Sequence, residues 1–500
     1  MNTHMQRRDF IRLSVAGTAL GLSGSSLVAR GAEPASKKLI SPGCRTSKVK
    51  VARLYLGNPA SRAWPKPDLD LQDEVRRYGA EFAKLGAELS DVDFSVDQIV
   101  SSADQLAAIK DRLKEVDGIL AIHLTMGIGG VLRDILALGR PTMVFAVPYS
   151  GHEWVGFGGL QRQPLGAKMG CLLTSDYAGL AAAIRPFRAI HHLREAKILN
   201  VTTRAAGEFG KQVRAKFGTQ IQEIGLARVL DACRRVDDKL AQEEANRWVQ
   251  GATAVVEPKA EAIFKSCKLA LAFEKLLDEE QATVMTADCY GSMYQPLCLG
   301  YAFPCIGFTR LNDMGLAGIC ESDLQSALTF IILQGLSGRP GFISDPTVDE
   351  SNNSIVLAHC LGTRKMDGPS GTAAPYKLRN VMERQAGVVA QVKMRTGQKV
   401  TQARLIGVER MPYFTGEVID APDIDRGCRT KITVRVDGDA TALWQNWSDG
   451  LHRVTCYGDL KQELKHFCRF MAIELWDEAD PAEAARATQT RPAKPAARAT

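Results

Sequence analysis

From Lys48 onward, short apolar runs rich in β-branched residues alternate with stretches whose apolar positions recur at helical spacing. KVKVARLYLG reads as a strand, residues 71–85 as a helix, VDGILAIHL as a strand, residues 131–138 as a helix and PTMVFAVPYS as a strand. This order implies a parallel sheet clothed in helices, because parallel neighbours need a crossover long enough to hold a helix. The texture returns at AKILNVTTR (196–204), with helical stretches over 211–248 and 257–278 and a strand in ATVMTADC (282–289). Two doubly wound α/β domains are therefore expected, over 48–190 and 191–370. After Gly371 the period changes to two, in VVAQVKMRTGQKVTQARLIGVERM and CRTKITVRV, with turn residues between the runs. That predicts an antiparallel β-barrel domain over 371–476, closed by the helix LKQELKHFCRFMAIEL (460–475).

The ends differ from this body. Arg7-Arg8 precede Phe10, Leu13 and a weakly apolar Gly/Ser/Ala stretch, which resembles a twin-arginine export signal over residues 1–31. It implies passage through the twin-arginine export machinery to a periplasmic or extracellular location. The Ala/Pro/Arg/Thr-rich close of the chain predicts a disordered tail over 477–500. The formal charge of +7 sits wholly at these ends, +3 on residues 1–31 and +4 on residues 484–500. A neutral body has no excess to hold a phosphate backbone, so nucleic-acid binding is not expected. No segment approaches the roughly 18 apolar residues of a membrane span. The twelve cysteines are scattered and never form CxxC, which predicts reduced core residues; a protein folded before export has no need of a disulfide framework.

Gly127-Ile-Gly129-Gly130, after a strand, lacks the third small residue of a dinucleotide fingerprint. It reads as a strand-to-helix turn, or as backbone amides able to hold a substrate hydroxyl. GxSxG and P-loop patterns are absent, so nucleophilic-serine and phosphoryl chemistries lose their usual support. Residues 304–360 are more informative. Glu321 and Asp323 open an apolar helix from Leu324 to Leu336; Asp345 ends a strand begun by Phe342-Ile343; VLAH delivers His359. Ligands gather at the carboxyl ends of strands in open α/β sheets, and these side chains suit an oxygen-rich divalent site of the Mn or Mg type.

In these residues the chain resembles the L-fucose/L-arabinose isomerase family, over about residues 48–475. RLNDMGLAGICESD is similar to that family's approach to its first metal-binding glutamate, here Glu321. The interval of 24 residues to Asp345 resembles the spacing of its two catalytic carboxylates. His359, in VLAHC, is similar to a histidine of the arabinose isomerases, and DGLHRVTCYGDLKQELKHF resembles the segment supplying the last metal-ligating histidine, here His452. The resemblance implies two Rossmann-like domains and a C-terminal β-barrel. It further implies a metal-dependent aldose–ketose isomerase acting on a deoxyhexose or pentose through an enediolate. Glu321 and Asp345 would be the acid/base pair, with Mn2+ or another divalent cation on Glu321, Asp345, His359 and His452. It implies a homo-oligomer whose active sites form where subunits meet, with His152 or the Gly127–Gly130 turn facing a neighbour. Asp288, Arg310, Asn312, His152 and Trp154 are further candidates for substrate contact or packing, and His466 reads as a packing or surface residue. An exported sugar-binding protein on the same scaffold and a nicotinamide oxidoreductase are the alternative readings.

Overall fold

The computed structural model describes residues 39–60, 64–447 and 450–483. The expected export signal and the stretch from 484 onward lie outside the described residues. β1 (Val49–Leu56), β2 (Val92–Val100), β3 (Gly118–His123), β4 (Thr142–Ala146) and β5 (Met169–Leu173) form an all-parallel sheet in the order β2-β1-β3-β4-β5. Every residue of β3 and β4 is buried, as continuous apolar strands covered on both faces must be. The strand order reverses between β1 and β3, which opens a crevice at their carboxyl ends. The helix Gly179–Glu195 then carries the chain out of this unit.

The second unit is built from β6 (Lys197–Val201), β7 (Gln220–Ile224), β9 (Val284–Ala287) and β10 (Ala317–Cys320), parallel and ordered β10-β9-β6-β7. The intervening two-residue β8 (Ala254–Val255) belongs elsewhere. β7 lies inside the stretch 211–248 expected to be helical; its Gln220–Ile224 sequence mixes polar and apolar residues with little to mark a strand, and its pairing with β6 decides the matter.

The barrel closes as β15-β18-β11-β12-β17-β16 and back to β15, comprising β11 (Phe342–Asp349), β12 (Ser354–His359), β15 (Lys399–Ala403), β16 (Arg410–Asp420), β17 (Thr430–Val436) and β18 (Arg453–Tyr457). All six pairings are antiparallel, and β19 (Glu474–Asp477) adds a parallel edge to β16. β13 (Tyr376–Val381) and β14 (Ala386–Val392) join β8 in a separate three-stranded sheet. The mixed α/β architecture with a terminal barrel is thus as expected, but strand membership differs. β11 and β12, assigned by sequence to the second α/β domain, are barrel strands, because their partners β17 and β18 lie far downstream.

Inside the barrel, Phe342, Ile355, Leu357, Phe414, Ile432 and Tyr457 form one core. On its outer side, Ile343, Val454 and Cys456 pack with the second unit's strands and the helix Leu324–Ser337. The tail expected from 477 is packed as far as Glu483: Glu478 is buried against the guanidinium of Arg453, and Glu483 accepts the Asp477 amide. A buried arginine needs a counter-charge, which holds this stretch in place. All twelve cysteines are free thiols, ten of them buried. No described helix is long and apolar enough to cross a membrane.

Candidate metal centre

Glu321 follows the last residue of β10, and both it and Ser322 hold left-handed backbone conformations, φ 65° and 53°. Such conformations cost non-glycine residues free energy and persist where the surroundings enforce them. Here the Ser322 amide donates to the Ala287 carbonyl (3.0 Å) and its hydroxyl to Asn200 Oδ1 (2.6 Å). Asp323 then caps the helix Leu324–Ser337 by accepting the Ser326 amide (2.9 Å). The turn delivers the Glu321 side chain, 31% exposed, to the carboxyl edge of the parallel sheet.

The barrel supplies the opposite wall. Register pairs Ser344 with Arg453, Asp345 with Ala358 and His359 with Thr430. Asp345 therefore sits on the middle of three adjacent strands, His359 one residue beyond its partner on one side, and His452 just before Arg453 on the other. Glu321, His359 and His452 each offer a ligand atom within 4.8 Å of the others. His359 Nε2 lies 3.9 Å from Glu321 Oε1, and His452 Nε2 lies 3.8 Å from Glu321 Oε2 and 3.4 Å from Asp345 Oδ1. The four residues singled out from sequence converge, with Asp345 joined to the trio through His452.

The surroundings orient this set. His452 Nδ1 is 3.1 Å from Asp323 Oδ2, which fixes the ring and leaves Nε2 facing the carboxylates. Arg404 donates to Asp323 (2.8 Å) and to the His452 carbonyl (2.7 Å). Burial opposes ionisation of Asp323, but His452 and Arg404 outweigh it and hold this carboxyl far below the usual range. Burial raises the Glu321 carboxyl, aided by the nearby charges of Asp345 and Glu383 and opposed by His452. Burial likewise raises Asp345, against His452 and with Glu383. His359, wholly buried beside His452, is pushed down to about 3 and so stays neutral, the state that binds metals. Burial lowers His452, yet the Asp323 hydrogen bond and the charges of Glu321 and Asp345 raise it overall. Two buried atoms, Asp345 Oδ1 and His359 Nδ1, lack a hydrogen-bond partner. Carboxylate oxygens and neutral imidazole, without a thiolate in the set, fit a divalent cation.

The other candidates divide. Asp288 is engaged by Ser292, Thr202 and Arg204. Arg310 joins Glu244 and Glu274, and Asn312 accepts the Gly318 amide and donates to Thr363; both support the fold. The amides of Gly127, Ile128 and Gly129 all donate to Glu153 Oε1 (3.0–3.2 Å), so the chain's own carboxylate fills that nest. Glu153 also meets His123 Nε2 (2.7 Å) at the end of β3. His152 packs edge-on to Trp64 in a pocket of about 470 Å³ lined also by His123, Tyr149 and Trp154. Sequence reading missed Asp323 as the partner of His452, and it missed Arg404 and Glu383. Asp323 was legible as a cap; Glu383, between β13 and β14, had no local signal, and its nearness to the site comes from the fold alone.

No family model matches the chain. It is similar to the sulfoquinovose isomerase of Clostridium sp. (strain MSTE9), with 24% identity over 317 residues, covering 59% of this chain and 67% of that protein. It is also similar to the sulfoquinovose isomerase of Alkalicoccus urumqiensis, 24% identical over 218 residues, 41% of this chain and 46% of that protein. The sequence-based expectation of an isomerase enzyme agrees with both.

Proposed function

We propose that the protein is a metal-dependent aldose–ketose isomerase acting on a deoxyhexose or pentose, with sulfoquinovose joining the candidate sugars from the relatives' name. The observation that carries this reading is the meeting of Glu321 and Asp345 across His359 and His452, from two walls distant in sequence. Isomerisation moves a proton between adjacent carbons of an open-chain sugar, and that C–H is a very weak acid. Glu321, Asp345, His359 and His452 would hold a divalent cation of the Mn2+ kind, which would polarise the sugar's carbonyl and hydroxyl oxygens. Asp345, whose Oδ1 has no hydrogen-bond partner, takes the carbon-bound proton and returns it to the neighbouring carbon of the resulting enediolate, while Glu321, the second acid/base group, carries the hydroxyl proton from one sugar oxygen to the other. His452, with Nδ1 held by Asp323 Oδ2, presents Nε2 to the same space as the two carboxylates.

The test is deuterium incorporation at C1 or C2 of fucose, arabinose, rhamnose and sulfoquinovose in heavy water with added Mn2+. Exchange is expected with the parent, and a loss of about 10²–10⁴ in turnover with Asp345→Asn while sugar binding survives. Saturable binding without exchange on any sugar leaves an exported sugar-binding protein as the better account.

Two further parts of the reading rest on the sequence and on the N-terminal unit. Arg7-Arg8 support twin-arginine export to the periplasm or beyond; with both changed to Lys, the precursor should remain in the cytosol. Around His152, Tyr149 and Trp154 are 77% and 53% exposed, which supports a homo-oligomer in which this face meets another copy's metal centre. Light scattering that finds a fully active monomer would count against it.

A further inference from the structure

At the amino ends of the first sheet's strands, away from the isomerase-like centre, a second group of ligand atoms converges. We propose that Cys44, His191 and Glu195 form a structural zinc site that pins the segment entering the first domain. Their ligand atoms lie within 4.8 Å of one another. Two donors on one tetrahedral zinc stand about 3.3–3.7 Å apart at ordinary bond lengths, so side-chain adjustments of about 1 Å complete the site.

Each member is placed by the fold. His191 and Glu195 are one turn apart on the helix Gly179–Glu195 and share a face. Cys44 arrives on a tight turn in which the Cys44 amide donates to Ser41 O (2.9 Å) and the Ile40 amide to Cys44 O (2.9 Å). Gly43, at φ 83°, makes that turn possible: its amide donates to Gly315 O, and a Cβ there would fall 2.4 Å from Gln334 Oε1. Cys44 and His191 are buried, at 2% and 0% exposure.

The surroundings have the form of a zinc site. Asp117 Oδ2 lies 2.9 Å from His191 Nδ1, the carboxylate–histidine arrangement that orients an imidazole so that Nε2 would be the coordinating atom. Arg194 pairs with the other oxygen of Asp117. Glu195 Oε1 accepts the Ser47 hydroxyl (2.8 Å), while Oε2 is buried without a hydrogen-bond partner. The Ser47 carbonyl accepts from His191 Nε2 (3.0 Å) and from the Cys44 thiol (3.3 Å); zinc would replace those two protons, and the carbonyl between them would serve as the fourth donor. A thiolate and an imidazole select zinc over the harder cations suited to Glu321 and Asp345, and the two anionic ligands balance its charge. Four protein donors leave no open position, so the role is structural. Arg45, next to Cys44, reaches Asp278 (2.7 Å) and the Ala282 carbonyl (2.9 Å) of the second unit, so the ion would lock the entering segment where both α/β units meet.

The experiment uses the full chain stripped by a chelator, with excess Mn2+ to occupy the other centre, and Co2+ as a spectroscopic probe. One equivalent of Co2+ should give a thiolate-to-cobalt charge-transfer band that Zn2+ abolishes by displacement. Cys44→Ser should remove the band. Glu195→Gln, which keeps an acceptor for Ser47, should fold as the parent does and weaken Co2+ binding by about 10-fold or more. No band in the parent, a band persisting in Cys44→Ser, or unchanged affinity in Glu195→Gln would overturn the assignment.

Discussion

Asp323 never faces the ions or sugars proposed for this protein, yet it does two separable things. Its side chain caps a helix through the Ser326 amide, and its charge holds both His452 Nδ1 and Arg404. Asparagine is as good a cap as aspartate, so Asp323→Asn keeps the first role and loses the second. The expected outcome is about 10–100-fold weaker Mn2+ binding, read by titration of the apo-protein, with a stability loss smaller than that of Asp323→Ala. Both variants leave Arg404, 8% exposed, without its carboxylate partner, and the alanine variant loses the cap as well, about 1 kcal/mol more. Equal Mn2+ affinity in parent and Asp323→Asn would remove Asp323 from the machinery. In sequence Asp323 was visible only as a helix opener, because a cap is a local pattern whereas its pairing with His452 spans 129 residues.

At the scale of elements, what could be read and what could not follow from range. β1, β3, β4 and β6 are apolar runs flanked by amphipathic helices, and their local texture suffices to place them in parallel sheets. Phe342-Ile343 at the start of β11 and VLAH in β12 read locally like those strands. Only partner identity separates the cases, and the partners Thr430–Val436 and Arg453–Tyr457 lie beyond any local window. The misassigned strands matter for the site. Asp345 and His359 are not at the carboxyl ends of the parallel sheet, as strand-end reasoning supposed; they belong to the barrel wall that faces it. The four candidate residues were found because resemblance supplied them as a set, while the barrel register explains why they meet. A one-residue slip of β11 against β18 would turn Asp345 to the barrel interior beside Phe342, since alternate residues face opposite sides.

At the scale of the whole molecule, the chain's end is stitched to its beginning. The helix Lys461–Met471, which follows the last barrel strand, packs on the first sheet and its helix: Glu463 pairs with Arg185 (2.7 Å), and Phe470 stacks on Phe187 at 5.8 Å. His466 lies in this seam, so close to β5 that a Cβ on Gly170 would stand 2.8 Å from its Nδ1. Burial, with Lys465 and Arg469 beside it, pushes His466 down to about 4. In the unfolded chain a histidine titrates near 6.5, so between these values the folded state binds fewer protons. The stabilisation from a neutral His466 is therefore complete above about pH 6.5 and lost as pH falls toward 4, by about 3 kcal/mol at most. His466→Gln removes that dependence while other titrating groups remain common to both proteins. The difference between parent and variant in denaturant-unfolding free energy should thus change steadily across pH 6.5–4 and stay constant above it. A difference independent of pH over this range would show that the seam tolerates a charged imidazole, and that the contact between barrel helix and first sheet is looser than the packing around Gly170 implies.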